Sequence, residues 1–206
     1  MVGKDTVGFR DTPAARCKAP RDLPVPLRTD GAGARSGVMR ILGVDPALTI
    51  TGYGLIDVQG GCLRLVEAGI IETKSSQALP ERLSKIYRGI VKLIEDTKPS
   101  VMVLEKLYAH YRHPTTAFLL GQARGVICLA CAQTNIHLVE YPATRVKKSI
   151  VGKGLAAKSQ VQRMVCGALG IRQLPQYYDV TDALALAIAH SHITSSQKAY
   201  DRANLR

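Results

Sequence analysis

The chain has 206 residues, of which 46% are hydrophobic and 21% are charged, so its composition is that of an ordinary globular protein. A wholly disordered, collagen-like or coiled-coil chain is excluded. A membrane-spanning helix is also excluded, because no run of about 18 apolar residues occurs. Lys and Arg number 28 against 16 Asp and Glu, and the resulting net charge of +12 makes a polyanion the first partner to consider.

The first 38 residues differ in composition from the rest. They contain four Pro, four Asp, seven Lys or Arg and little apolar periodicity. This pattern predicts a disordered, basic N-terminal extension over 1–38, one folded domain over 39–194 and a C-terminal tail over 195–206. The extension has no apolar segment of the kind found in secretory signals, and its acids argue against an organelle transit peptide. Met39 directly precedes the first apolar run and is a candidate natural start.

The five cysteines are odd in number and irregularly spaced, which argues against a disulfide framework. Cys128 and Cys131 form a C-x-x-C pair within an apolar run, without a second pair or a histidine at zinc-finger spacing. We interpret them as small residues on a buried helix face. Free thiols fit a reducing cytoplasm, which is the expected location.

Apolar runs, a Gly-Gly hairpin signal and helical periodicity predict five strands and five helices. In chain order they are strands at 39–46, 51–58 and 62–72, a helix from Pro80 to about 97, a strand at 100–105, a helix at about 115–133, a strand at 136–140, and helices near 142–151, 156–169 and 179–192. Three antiparallel strands followed by alternating helices and strands predict an α/β fold, with a mixed five-stranded sheet and helices on both faces. A crossover would set the fourth strand beside the first.

Acidic side chains are scarce in residues 39–206, and four of them stand at informative places. Asp45 and Glu105 each close an apolar strand, and the predicted sheet brings these two strand ends to one edge. Asp179 and Asp182 lie at i and i+3 on the last helix and so share a face. Each has a structural alternative: a turn before a proline for Asp45, a solvated strand end for Glu105, and an N-cap and first helical turn for the other two. Taken together, they suit two Mg²⁺ or Mn²⁺ ions that assist hydrolysis of a phosphodiester.

Basic residues are concentrated between Glu105 and Asp179. This interval contains ten Lys or Arg and a single acid, Glu140, and residues 141–178 contain seven bases and no acid. A solvated face is the ordinary interpretation of a charge run, but this imbalance favours contact with nucleic acid. Tyrosines that could stack on unpaired bases flank the interval, and loop anchoring is their alternative role. They are Tyr108, Tyr111, Tyr177 and Tyr178.

Five stretches of the chain carry a family resemblance. GVDPALTITGYGLID, VLEKLY, LGQARGV, VKKSIVGKGLAAKSQVQRMV and DVTDALALAIAHSH, in that order, resemble the RuvC family of Holliday junction resolvases over about 39–193. The first stretch is weak alone, since actin-like ATPases begin similarly, whereas the five together are highly specific. The resemblance implies a ribonuclease H-like fold, a homodimer and a Mg²⁺-dependent endonuclease that nicks four-way DNA junctions symmetrically. It also implies contact with the branch-migration proteins RuvA and RuvB.

The same resemblance implies roles for individual residues. The catalytic and metal-binding acids would be Asp45, Glu105, Asp179 and Asp182. Tyr108 stands where the family has an aromatic residue, usually Phe, that stacks at the junction centre. Lys147 and Lys158 match DNA-contacting lysines of the family. With the basic interval, the predicted DNA-binding set is Tyr108, Arg112, Arg145, Lys147, Lys148, Lys153 and Lys158.

The sequence also bears on three alternative functions. An actin-like phosphotransferase would need a second phosphate loop and a second domain, and the chain offers neither. A junction-binding scaffold without activity would show a broken set of carboxylates, whereas the set is intact. A related nuclease that acts on RNA differs only in its substrate, which the sequence does not decide.

Overall fold

The computed structural model of the protein describes residues 37–107, 114–173 and 175–204. Within these ranges it contains five strands and five helices, in the predicted order. They are β1 (Met39–Asp45), β2 (Ile50–Gln59), β3 (Cys62–Glu72), α1 (Leu79–Thr97), β4 (Val101–Glu105), α2 (Pro114–Gln133), β5 (His137–Tyr141), α3 (Ala143–Val151), α4 (Lys158–Leu169) and α5 (Tyr178–Asn204). None of these helices is long and apolar enough to cross a membrane.

The strands form one mixed sheet in the order β3-β2-β1-β4-β5. β1, β2 and β3 are antiparallel neighbours, whereas β4 runs parallel to both β1 and β5. The fourth strand therefore lies beside the first, as predicted, and the carboxyl ends of β1, β4 and β5 meet at one edge of the sheet.

Helices cover both faces of the sheet, which confirms the predicted layers. Because successive side chains of a strand point to opposite faces, β1 supplies two cores. Leu42 and Val44 pack with apolar residues of α1 and α2. Ile41, on the other face, packs with α3, α4 and α5. The same alternation directs Asp45 to the α5 face at the end of the strand.

Helix α5 packs on the sheet at three glycine positions. Gly43 and Gly54 are directly opposite in the β1–β2 pair, and Gly52 is opposite Asp45. A Cβ at Gly43 would overlap the carbonyl of Ala183 in α5, and one at Gly54 would overlap the side chain of Leu184. Only glycine permits so close an approach, so these positions fix where α5 crosses the sheet.

The last helix is the clearest departure from the predicted boundaries. α5 continues to Asn204, although apolar periodicity predicted its end near 192. Its last turns are largely exposed, so packing gave no signal in the sequence. Local bonds accompany the extension: the Ser196 hydroxyl donates to the His192 carbonyl at 2.9 Å, and the Gln197 amide donates to Asp201 at 2.9 Å.

The C-x-x-C pair behaves as two small core residues. Cys131 is buried and Cys128 is half-buried on α2. The Cys131 sulfur lies 3.2 Å from the sulfur of Met102 in β4. Burial raises the pKa of the Cys131 thiol to about 11, so the thiol stays protonated and inert at neutral pH.

Candidate active site

Two of the four predicted carboxylates reach the site from neighbouring strands. β1 and β4 pair in parallel with Val44 opposite Leu104, so Asp45 and Glu105 end these strands side by side. Both positions continue the row of side chains that faces α5. The sheet edge therefore presents two carboxylates to the first turns of that helix.

Helix α5 brings the other two carboxylates to the same edge. A Cβ at Gly52 would overlap the carbonyl oxygen of Asp179, so the start of α5 rests directly on β2 beside Asp45. Asp182 lies one turn further along and lines the same cavity as Asp45 and Glu105. Asp179 is outside the lining of that cavity, but its charge acts on Asp45.

Asp45 is half-buried among negative charges. Burial raises its pKa most, and repulsion from Asp182, Asp179 and Glu105 raises it further, to about 7. The pKa of Glu105 is raised as well, first by burial and then by Asp182. A carboxyl group in this environment holds its proton near neutral pH unless a cation shares the site.

Lys158 supplies positive charge to this cluster. Its ammonium, at the start of α4, donates a hydrogen bond to Oδ2 of Asp182 at 3.0 Å. That bond raises the pKa of Lys158, and attraction to Asp45 and Asp179 acts in the same direction. The lysine is therefore fully charged and faces the carboxylates.

The carboxylates surround a cavity of about 310 Å³ at the carboxyl ends of β1 and β4. α2, α3, α4 and α5 all contribute to its wall. The lining residues are Asp45, Pro46, Glu105, Leu107, Leu120, Arg124, Ala143, Val146, Lys147, Lys158, Val161, Asp182, Ala185 and Leu186. The cavity is thus lined by acidic groups from β1, β4 and α5 and by lysines from α3 and α4.

The donor set suits a hard cation such as Mg²⁺, since it consists of carboxylate oxygens with an excess of negative charge. In their present positions, no three Asp, Glu, His or Cys side chains of the described ranges are arranged closely enough to hold a metal ion. Burial and the three neighbouring carboxylates raise the pKa of Asp45, and a bound cation would offset this effect. A divalent ion would therefore fit the chemistry of the site, once the carboxylate side chains turn toward it.

Arg124 of α2 belongs to the site although the sequence argument gave it no role there. Its guanidinium donates to the carbonyl oxygen of Glu105 at 2.6 Å and pairs with Glu140 of β5. Only 11% of the Arg124 side chain is exposed. It therefore holds the end of β4 to β5. The sequence signal for this pair was Glu140, the one acid between Glu105 and Asp179.

The predicted DNA-binding residues are only partly brought together. Lys147 and Lys158 line the cavity. Lys148 and Lys153 are exposed on α3 and on the loop after it, and neither lines the cavity. Arg145 lies 5.3 Å from the ring centre of Tyr141, in a cation–π contact away from the carboxylates. Tyr108 and Arg112, like Tyr111, fall outside the described residues.

Comparisons with known proteins agree on one family. The family model described as "Crossover junction endodeoxyribonuclease RuvC" matches residues 41–190. The RuvC protein of Rhodopirellula baltica is 42% identical over 156 residues, which cover 76% of this chain and 88% of that protein. The RuvC protein of Caldicellulosiruptor saccharolyticus is 41% identical over 159 residues, which cover 77% of this chain and 95% of that one.

Solved structures agree with this result. The structure titled "T. thermophilus RuvC in complex with Holliday junction substrate" superposes with a TM-score of 0.72 at 29% identity, over 76% of this chain and 94% of that chain. A second structure, titled "Thermus thermophilus RuvC structure", has the same TM-score of 0.72 at 28% identity, over 77% of this chain and 97% of that one. The predicted ribonuclease H-like fold and the predicted DNA endonuclease are confirmed, and the chain belongs to the RuvC family of crossover junction endodeoxyribonucleases.

Proposed function

We propose that this protein resolves four-way DNA junctions by metal-dependent hydrolysis of two opposed phosphodiesters. The convergence of Asp45, Glu105, Asp179 and Asp182 at one sheet edge, with the pKa of Asp45 raised to about 7, carries the proposal. Family membership supplies the substrate class, since the related Thermus protein is described with a Holliday junction as its substrate.

Mg²⁺ is the proposed cofactor, with two ions in each site and Mn²⁺ as a substitute. Asp45 would contribute to both ions, Asp179 and Asp182 to one, and Glu105 to the other. When bound, the ions supply the activation of a water molecule and the neutralisation of the leaving 3′ oxygen. The products would be a 5′ phosphate and a 3′ hydroxyl, which a ligase can rejoin.

The protein's own residues have distinct tasks in this proposal. Lys147 and Lys158 would bind phosphates beside the scissile bond, because both line the cavity that holds the carboxylates. Arg124 would keep Glu105 in place through its bond to the Glu105 carbonyl. The exposed Lys148 and Lys153 would neutralise more distant phosphates.

Three predicted contacts complete the DNA-binding set. Tyr108 would stack on a base at the junction centre, and Arg112 would bind phosphate near it. These two roles come from the sequence. Arg145 would contribute positive charge from α3, with its guanidinium held over the ring of Tyr141.

The proposed enzyme is a homodimer, because paired nicks need two active sites. Helix α2 offers a self-complementary face: Phe118, Gly121, Gly125 and Leu129 form one helical stripe. Phe118 is 70% exposed and Leu129 is 49% exposed, and a Cβ at either glycine would meet nothing within 4 Å. Two such helices could cross closely at the glycines and bury both large side chains.

The dimer has a direct test. Gly125→Glu should place a charge in the middle of the stripe and shift the protein to monomers in sedimentation experiments. Paired nicking of one junction should then be lost. A variant that remains dimeric and nicks both strands would show that α2 is not the interface.

Two further proposals concern the partners and the location of the protein. Binding to the RuvA and RuvB branch-migration proteins is proposed from the family resemblance. Action on chromosomal DNA and the four free cysteines of the described residues fit a cytoplasmic protein.

A cleavage assay tests the main proposal. A four-way DNA junction, a linear duplex of the same sequence and an RNA–DNA hybrid are compared in Mg²⁺, Mn²⁺ and EDTA. We expect paired, ligatable nicks in the junction alone, and only with a divalent ion. Cleavage in EDTA would refute the metal site, and preferential cleavage of the hybrid would favour the RNA nuclease.

A further inference from the structure

We propose that Leu155 is an apolar wedge that enters a disrupted base step near the scissile phosphate and so favours branched DNA over continuous duplex. This inference rests on the proposed function. Leu155 lies in the loop that joins α3 to α4, and 95% of it is exposed. Among the large apolar side chains of the described residues, it is the most exposed.

The loop holds Leu155 outward on a fixed backbone. Gly152 adopts a positive φ of 80°, and its N–H closes α3 by donating to the Lys148 carbonyl. A Cβ at Gly154 would come within 3.2 Å of the Thr144 carbonyl oxygen, so the loop packs closely against the start of α3. Ala156, which follows the leucine, is buried. The backbone conformation of the turn therefore keeps the Leu155 side chain exposed.

The position of the loop identifies DNA as its partner. Lys153 and Lys158 flank Leu155 in a stretch without acids, and Lys158 donates to Asp182 at the candidate active site. Leu155 is three residues from Lys158, and three residues span at most about 11 Å. Since the Lys158 ammonium contacts Asp182, a leucine this near along the chain lies a few nucleotides from a phosphate held at the carboxylates.

The energetics predict selectivity for branched DNA. Burial of a leucine side chain changes an equilibrium constant roughly 10- to 100-fold. Opening an intact base step costs about as much or more, so insertion into continuous duplex gains nothing. At a branch point the base stack is already interrupted, so burial of the leucine there strengthens binding without the cost of opening a base step. The wedge therefore adds affinity for branched DNA and little for linear duplex.

The test replaces the apolar group and measures binding and base stacking in EDTA, so that cleavage does not intervene. Gel shifts compare a four-way junction with a linear duplex, and 2-aminopurine within three nucleotides of the expected nick reports unstacking. The wild-type protein should bind the junction more tightly than the duplex and increase the fluorescence of 2-aminopurine. Leu155→Ser should lose about tenfold in junction affinity and the fluorescence change, while duplex affinity changes less than twofold.

Two controls make the result specific. Leu155→Met keeps an apolar side chain and should behave as wild type. Val38→Ser removes an exposed apolar group before β1, at the opposite edge of the sheet, and should change neither readout. Thermal melts should be equal for all variants, since Leu155 has no core contact to lose.

Three outcomes would overturn the inference. Wild-type junction affinity and fluorescence in Leu155→Ser would show that the leucine does not enter DNA. Equal loss on junction and duplex would make it a general contact. If wild type itself shows no preference for the junction, the proposed function fails, and the wedge fails with it.

Discussion

Two aspartates at opposite ends of the sheet, Asp45 half-buried and Asp57 buried, have opposite electrostatic surroundings. Asp57, at the end of β2 away from the cavity, accepts hydrogen bonds from Arg40 at 2.8 Å and from Arg64 at 2.8 Å. Its pKa is held below the ordinary value, chiefly by the Arg40 bond. Asp45, at the end of β1, faces three carboxylates instead, and its pKa is raised to about 7.

The difference separates a structural acid from a functional one. Burial of Asp57 is compensated by two guanidinium groups, so its charge helps to hold β1 and β2 together. Asp45 is held by the scaffold in a state that opposes its ionisation, and the scaffold's other bonds offset the cost. A buried acid without adequate compensation at a sheet edge is the pattern of a cation site.

The largest expected effect comes from Asp45→Asn. It removes a proposed metal ligand, and several kcal/mol of transition-state stabilisation correspond to at least ~10³-fold in nicking rate. Junction affinity in EDTA should be equal or higher, because one negative charge that repels phosphate is gone. Glu105→Gln and Asp182→Asn should behave alike in paired cleavage and gel-shift assays. Wild-type cleavage by any of them would remove that residue from the metal site.

The pH dependence of stability should have opposite signs at the two aspartates. Between about pH 4 and 7 the folded state keeps the proton on Asp45 while the unfolded chain has released it, so raising the pH favours unfolding. The effect is on the order of 4 kcal/mol across this window. The contribution of Asp57 is present above its ordinary pKa and is lost as the pH falls through the lowered value.

Urea unfolding in metal-free buffer tests these signs. Between pH 4 and 7, the free energy of unfolding should fall less steeply in Asp45→Asn than in wild type. Mg²⁺ should restore stability to wild type near pH 7.5 and have little effect on the variant. Identical slopes for the two proteins would mean that Asp45 ionises freely in the folded state.

Asp57→Asn should damage the fold and leave the chemistry intact. The change weakens charge-assisted hydrogen bonds to two arginines, and we expect a loss of ~1–3 kcal/mol in the free energy of unfolding. At a temperature where the variant stays folded, its nicking rate should match wild type. A loss of cleavage without a loss of stability would place Asp57 in the reaction and break the comparison.

The sequence was sufficient to predict that the two strand carboxylates of the site lie side by side. Strand periodicity and the parallel crossover placed Asp45 beside Glu105, because both rules are local or depend on chain order. The i, i+3 spacing put Asp179 and Asp182 on one helix face, yet it did not say against which part of the sheet that face lies. The docking depends on Gly43, Gly52 and Gly54, whose meaning appears only when a helix packs on them.

Other features depended on contacts that no pattern reports. The contacts of Arg124 with Glu105 and Glu140 join residues of three elements, and the ion pair between Lys158 and Asp182 joins two helices. The polar end of α5 forms without an apolar stripe, so periodicity gave no signal for it. The N-terminal extension proposed for 1–38 stays a prediction, since only its last two residues lie within the described part of the chain.

Two lysine–aspartate pairs at the surface extend the comparison to the smallest expected effect. Lys158 pairs with Asp182 beside the cavity, and Lys92 pairs with Asp96 within α1 at 2.7 Å. Surface ion pairs of this kind contribute little to stability, so neither lysine should matter much to folding. What differs is the surroundings, because Lys158 also feels Asp45 and Asp179.

Lys158→Gln should therefore weaken junction binding about three- to tenfold near 0.1 M salt, and the slope of log affinity against log salt should become shallower by about one. Lys92→Gln removes the same charge from a solvated helix and should change neither quantity. Lys147→Ala should have the same effect as Lys158→Gln, because Lys147 lines the same cavity. Salt titrations of all three variants in EDTA separate a local phosphate contact from a general effect of net charge. Equal weakening by Lys92→Gln would show that DNA binding follows the overall charge of the protein. An unchanged salt slope in Lys158→Gln would mean that Lys158 pairs with the carboxylates and does not contact a phosphate.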